Sequence, residues 1–182
     1  MDAIQMIKER RSIRKYTDDV VPQEILEKIV DAARFSPSWT NAQIARFTFV
    51  SDKNLIAKIA EDGVKGFVYN KKTLENAKNI LILSFVKGKS GVLPPERGDI
   101  KIENATKWEM FDAGIACQTF CLAAHEQGVG TCIFGVIDET EIAKTIDLPA
   151  DETVAALIVI GYPAEAGKEP VRKEVAELTR FK

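Results

Sequence analysis

The chain has 182 residues, 46% of them hydrophobic and 29% charged, with a formal net charge of −2. A chain of that length buries roughly 70% of the surface its unfolded form exposes, enough for one core without disulfide or metal support. The near-zero charge excludes a general attraction to nucleic acid or anionic membranes, and no run approaches the ~18 consecutive apolar residues of a membrane span.

Ile4 and Ile7, three apart, predict a short helix over Asp2–Arg11 with a basic C-terminal end. Pro22 suits the first turn of a second helix, along which Ile25, Leu26, Ile29, Val30 and Ala33 recur at helical spacing. Ser36-Pro37-Ser38 ends it, because the residue before a proline is pushed out of helical angles. Arg46–Ser51 alternates in β fashion with Phe47 and Phe49 on one face, and Leu55–Ala60 reads as a short helix. Asn79–Val86 is a continuous apolar run, the mark of a strand covered on both faces. Lys87–Asn104, rich in Gly, Pro and charge, reads as an excursion long enough to serve as a lid.

Ala105–Gln127 is the longest helical segment; Trp108, Phe111, Ile115, Phe120 and Leu122 make it apolar nearly all round, as in a buried central helix. Gly128-Val129-Gly130 stops it, and Thr131–Phe134 follows as a short strand. Asp138 with Glu141 predicts a capping box for a helix that ends before Pro149. Thr153–Tyr162 is a second fully apolar strand, and Ala164–Lys182 is a polar arm with too few apolar residues to pack alone. Helices first, then strands broken by helices of unequal length, predict an α+β fold: a mixed sheet flanked by helices, in a single domain over residues 1–182. Asp2, Lys8 and Glu9 stand where a signal peptide needs an apolar run, and the three cysteines, Cys117, Cys121 and Cys132, cannot pair completely. Both features fit a reducing cytoplasm.

The sharpest local feature is Lys8–Lys15, with five basic side chains and one acidic among eight residues. By itself such a run is either a solvated turn or an anion clamp. Arginine grips phosphate through paired hydrogen bonds, Ser12 adds a hydroxyl, and in an extended backbone Ile13 would anchor while Arg10, Ser12 and Arg14 project together. A second feature is Ser36–Gln43, where two hydroxyls, two carboxamides and the Trp39 indole crowd a loop suited either to capping or to binding the edge of a heteroaromatic ring.

Other motifs fail. Gly88-Lys89-Ser90 would need a glycine where Leu83 stands to make a phosphate loop, and Gly128-x-Gly130 lacks the third glycine of a dinucleotide fingerprint. The cysteines gather no further ligands around the lone His125, so no metal is expected and buried small hydrophobes are the favoured reading. A clamp and a polar loop, without an acid, base or nucleophile constellation, suit a protein whose chemistry belongs to a bound cofactor.

Arg10-Arg11-Ser12-x-Arg14, then Pro37-Ser38-x-x-Asn41-x-Gln43, then the helix ending in Gly128-x-Gly130-Thr131-Cys132, and finally Arg172-Lys173, resemble in order the nitroreductase family of flavoproteins. The resemblance implies a mainly antiparallel sheet, a buried central helix, and a C-terminal arm exchanged in a homodimer with FMN at the interface. It assigns the FMN phosphate, ribityl chain and pyrimidine edge to Arg10, Arg11, Ser12 and Arg14. The ring of a partner's flavin falls to Pro37, Ser38, Trp39, Asn41 and Gln43, and the ring's polar edge to Asn70. Ile133, Phe134, Gly135 and Val136 lie near flavin N5, and Arg172 and Lys173 complete the phosphate site. The sequence departs from the family where Ile44-Ala45 follows Gln43, where Trp39 replaces a small residue, and where Thr73 stands in place of some members' lysine.

The implied activity is hydride transfer from NADH or NADPH to FMN, then ping-pong transfer to a small acceptor, nitroaromatic or quinone-like, with no nucleic-acid or membrane partner. No side chain is assigned acid–base catalysis, but Arg14 is expected to tune the flavin: a guanidinium about 4 Å from the reduced ring contributes up to ~4 kcal/mol, or ~80 mV. Alternatives left open are another flavin reaction (dehydrogenation, dehalogenation or flavin breakdown) and a non-catalytic nucleotide-binding protein.

Overall fold

The computed structural model describes residues 2–66, 68–93, 96 and 105–182. Helix α1 (Ala3–Glu9) opens on Asp2, whose carboxylate accepts the Gln5 amide at 2.9 Å, and Arg10 leaves it with extended ψ. Helix α2 (Gln23–Ala33) follows Pro22 and buries Leu26, Ile29 and Ala33 on one face. A single 3-10 turn (Trp39–Asn41) leads into β1 (Ala45–Val50). Helix α3 (Lys53–Asp62) is capped by Asp52, which accepts from the Leu55 amide at 2.8 Å. Helix α4 (Val68–Glu75) was not foreseen, because only Thr73 and Leu74 of its residues are buried and no apolar stripe marks it.

Strand β2 (Asn79–Val86), helix α5 (Ala105–Glu126), β3 (Gly130–Phe134), helix α6 (Glu139–Thr145) and β4 (Glu152–Gly161) complete the core, each close to its expected range. Asp138 caps α6 through the Glu141 amide at 3.0 Å. The arm is exposed apart from the half-buried Gly167 and carries one short turn of helix, α7 (Val175–Leu178). Of Lys87–Asn104, residues 94, 95 and 97–104 lie outside the described residues. The Gly88 amide donates to Glu109 and the Ser90 hydroxyl to Asp112, so the start of this segment is tied to α5.

The four strands run in the order β1-β2-β4-β3, with every neighbouring pair antiparallel. The pleat explains why β2 and β4 read as unbroken apolar runs: Ile80 and Ile82 face one layer with Ile56, Ile59 and Ile142, while Leu81 and Leu83 face the other with Leu26, Ile29 and Phe120. Each such side chain contributes about 1.5–3 kcal/mol by burial. Helix α5 lies against α1, α2, β1, β2 and β3, with Ala113, Phe120, Cys121 and Ala124 buried, but Met110 and Phe111 remain exposed. One side of this central helix is therefore uncovered within a single chain. Among the described residues, no helix is long and apolar enough to cross a membrane.

Candidate functional site

The basic segment lies at the β3 edge of the sheet. Ser12 forms a parallel bridge with Thr131, and the Ile13 amide donates to the Thr131 carbonyl at 2.9 Å. This extended backbone turns Ile13 inward, 7% exposed, and leaves Ser12 half-buried and Arg14 exposed. Two glycines permit the approach. A Cβ on Gly130 would lie 2.7 Å from Ile13 Cγ1, and one on Gly161 would lie 2.7 Å from the Tyr16 ring. The Tyr16 hydroxyl then locks the segment, donating to the Ile13 carbonyl at 2.6 Å and, more weakly, to that of Val159 at 3.3 Å. Burial pushes this phenol far above the usual tyrosine range; the nearby Cys132 adds to the rise and Arg14 opposes it.

The arginines do not behave alike. Arg11 donates to the carbonyls of Lys8 and Arg10 and pairs with Glu169 at 3.1 Å. Arg14 reaches only the Ser12 carbonyl at 3.5 Å, and among the described residues neither Arg10 nor Arg14 forms an ion pair. Both charges are felt at Cys132 on β3, where they oppose the upward push of burial on the thiol. Beyond Cys132 the strand ends in Ile133 and Phe134, and Gly135 and Val136 follow it. Ile133 and Val136 are about half exposed, Gly135 is exposed with open space where a Cβ would be, and Phe134 is buried.

No described contact joins Asn70 itself to the basic segment. Val64 bridges Ile137 and the Lys65 amide donates to the Val136 carbonyl at 3.3 Å, so the connection into α4 runs beside the end of β3. Asn70 is in the first turn of that helix. Thr73, in place of a lysine, is buried and spends its hydroxyl on the Tyr69 carbonyl, so it brings no charge.

The second group of residues lies elsewhere. The loop holding Pro37, Ser38, Trp39, Asn41 and Gln43 enters β1, the opposite edge of the sheet from β3. Thr40, Asn41 and Gln43 have φ of 44°, 60° and 48°, a left-handed region costly for residues with a Cβ. Ser38 holds two of them, its carbonyl accepting the Asn41 amide and its hydroxyl the Gln43 amide, both at 3.0 Å, while the start of the turn is tied to Asp112 of α5, 3% exposed, whose Oδ2 accepts the Trp39 amide at 3.0 Å and the Ser90 hydroxyl at 2.6 Å; Oδ1 has no partner among the described residues. The Trp39 indole donates to the Val92 carbonyl at 2.7 Å and its ring lies 4.8 Å from that of Trp108, which in turn meets Phe111 at 5.1 Å. Asp112 was not singled out from sequence. The signal that could have found it is a lone carboxylate in the apolar stretch of α5 between Met110 and His125.

Arg172 and Lys173 are exposed on the arm, and no described contact brings them to Arg10, Ser12 or Arg14. The cleft of about 740 Å³ beside Arg10 and Arg11 is also lined by Glu9, Glu165 and Glu169, of which Glu169 already pairs with Arg11. His125 lines it too, with a buried Nε2 that has no partner among the described residues. Cys117, Cys121 and Cys132 are buried; a hydrogen bond with Cys121, and then burial, hold the Cys117 thiol well above its usual range. Among the described residues no cluster of potential ligands could hold a metal, and the thiols pack as small hydrophobes.

The Nitroreductase family model matches residues 7–162. A Methanothermobacter thermautotrophicus protein, provisionally named an NADH dehydrogenase/NAD(P)H nitroreductase, is 31% identical over 169 residues, covering 91% of this chain and 79% of that protein. An iodotyrosine deiodinase from Haliscomenobacter hydrossis is 26% identical over 189 residues, covering 91% and 81%. The solved structure of an FMN-dependent nitroreductase from Clostridium difficile R20291 superposes with a TM-score of 0.76 at 28% identity, covering 98% of each chain. The protein belongs to the nitroreductase family.

Proposed function

We propose that the protein is an NAD(P)H-dependent FMN oxidoreductase that passes electrons to a small oxidised acceptor, with the flavin held where the basic segment meets the end of β3. The observation that carries this reading is the pairing of Ser12 with Thr131, which sets two arginines free of ion pairs among the described residues, Arg10 and Arg14, along β3, the strand that leads to the exposed backbone of Gly135. Those residues fit FMN: guanidinium and hydroxyl donors suit its phosphate and ribityl chain, and the open space at Gly135, between the apolar Ile133 and Val136, admits a flat ring. The names of the family relatives support both the flavin and the nicotinamide reductant.

When bound, FMN supplies hydride acceptance from NADH or NADPH and onward transfer to the acceptor, in a ping-pong order that one shared open face requires. The chain's own contribution is binding and field. Arg10 and Ser12 hold the phosphate and ribityl end, while Arg14 places positive charge beside the ring. Ile133 and Val136 present half-exposed apolar surface that excludes water from its edge.

A homodimer is part of the proposal. Ser12 and β1 are separated by three strands, roughly 19 Å at ordinary strand spacing, so the clamp and the Pro37–Gln43 loop of one chain serve different flavins. The exposed Met110 and Phe111 on α5, and the arm's exposed Val171, Val175, Leu178 and Phe181, offer the apolar surface for a second copy. Arg172 and Lys173 on that arm then complete the phosphate site.

The test is colour. Purified protein should be yellow or take up FMN, and should bleach on anaerobic addition of NADH or NADPH; a protein that neither holds nor takes up FMN overturns the reading. The deiodinase relative favours one second reading, reductive removal of halide from an aromatic acceptor, and iodide release from 3-iodotyrosine distinguishes it.

A further inference from the structure

The Pro37–Gln43 loop carries an aromatic group that packing alone does not require. Trp39 and Trp108 are half-buried, with ring centroids 4.8 Å apart at 57°, and Phe111, 5.1 Å from Trp108, is 58% exposed. Trp39 has only two donors, and both are spent: the backbone amide on Asp112 Oδ2 at 3.0 Å and the indole N–H on the Val92 carbonyl at 2.7 Å. What it can offer an incoming molecule is therefore the face or edge of its ring, and not a hydrogen bond.

The ring is also held in place. Asp112 is buried and accepts from Ser90 as well as from Trp39, which joins α5, the start of the 87–93 segment and the loop at one carboxylate. Three non-glycine residues of the loop keep left-handed angles around this contact. Strained residues of this kind cluster at ligand clamps, where surrounding contacts hold them and keep the site pre-organised.

We infer that Trp39 and Trp108 form a specificity wall that selects planar aromatic acceptors by ring contact, and that Asp112 is the positioning residue that sets its geometry. This rests on the reading above that the loop borders a flavin. It adds to that reading that acceptor choice is made by π contact from residues of α5 and the loop, with Asp112 acting through Trp39.

The experiment measures kcat/KM for menadione, a planar quinone, and for ferricyanide, which has no aromatic ring, in FMN-loaded protein. The readout is the ratio of the two. Trp39→Ala and Trp108→Ala should each lower the ratio roughly three- to tenfold, the size of one aromatic contact, chiefly through KM for menadione. Trp39→Phe should restore most of it. Asp112→Ala should lower it likewise, whereas Asp112→Asn, which can still accept from Trp39 and Ser90, should keep it. A loop that matters only for folding would change stability and flavin content without changing the ratio. A ratio within twofold of the parent in both alanine variants at the two tryptophans, in yellow protein that bleaches with NAD(P)H, overturns this inference alone. A parent protein that binds no FMN overturns the underlying reading with it.

Discussion

Ile13 and Gly130 are in contact so close that a Cβ on the glycine would lie 2.7 Å from Ile13 Cγ1 and 2.9 Å from its Cβ. Both Ile13 atoms belong to a β-branched stem that cannot swing aside. Gly130→Ala must therefore push the basic segment off β3 and loosen the Ser12–Thr131 pairing. Overpacking of this kind costs about 1–3 kcal/mol. Urea denaturation should show that loss, and FMN titration should show weaker binding; unchanged affinity would separate the clamp from the β3 edge.

The Tyr16 hydroxyl supports the same segment from below. Tyr16→Phe should cost about 0.5–1.5 kcal/mol at neutral pH. Because burial raises the phenol's pKa above its unfolded value near 10, its contribution is complete below about pH 10 and is lost as pH rises further. The difference in stability between parent and variant should thus be constant through neutral pH and shrink in alkali, as measured by denaturation at a series of pH values.

Arg14 is the exposed cation assigned to the ring. Arg14→Ala should lower the two-electron potential of bound flavin, by tens of millivolts after solvent screening of an exposed charge. Reductive titration of the FMN-loaded variant reads the shift. An unchanged potential removes Arg14 from this role.

The arm is exposed at Val171 and Phe181 to 100% and 96% and, with Val175 and Leu178, carries four exposed apolar side chains within twelve residues. Deleting residues 171–182 should convert a dimer to monomer in light scattering and release FMN, since Arg172 and Lys173 leave with it. A truncated chain that stays dimeric and keeps its flavin would place the interface on α5 alone.

Most of the scaffold was legible because its signals are local. The unbroken apolar runs of β2 and β4, the helical stripe of α2 and the capping Asp138 depend on residues within a few positions of one another. Helix α4 escaped because its burial is confined to Thr73 and Leu74, too few to make a period. Asp112 escaped for the opposite reason: it has no local signature, and its meaning comes from Trp39, 73 positions away.

The residues of Lys8–Lys15 by themselves determined a concentration of positive charge with one apolar anchor, and the ordered motifs determined the family. Which of those charges is free was decided only by the tertiary structure. Arg11 is bound by Glu169, brought close by the chain's return after β4, while Arg10 and Arg14 are left beside β3. The same holds for the separation of clamp and Trp39 loop onto opposite edges of one sheet. Side-chain chemistry and periodicity are properties of short stretches. Ion pairing and edge pairing depend on which distant stretches the packed core brings into contact.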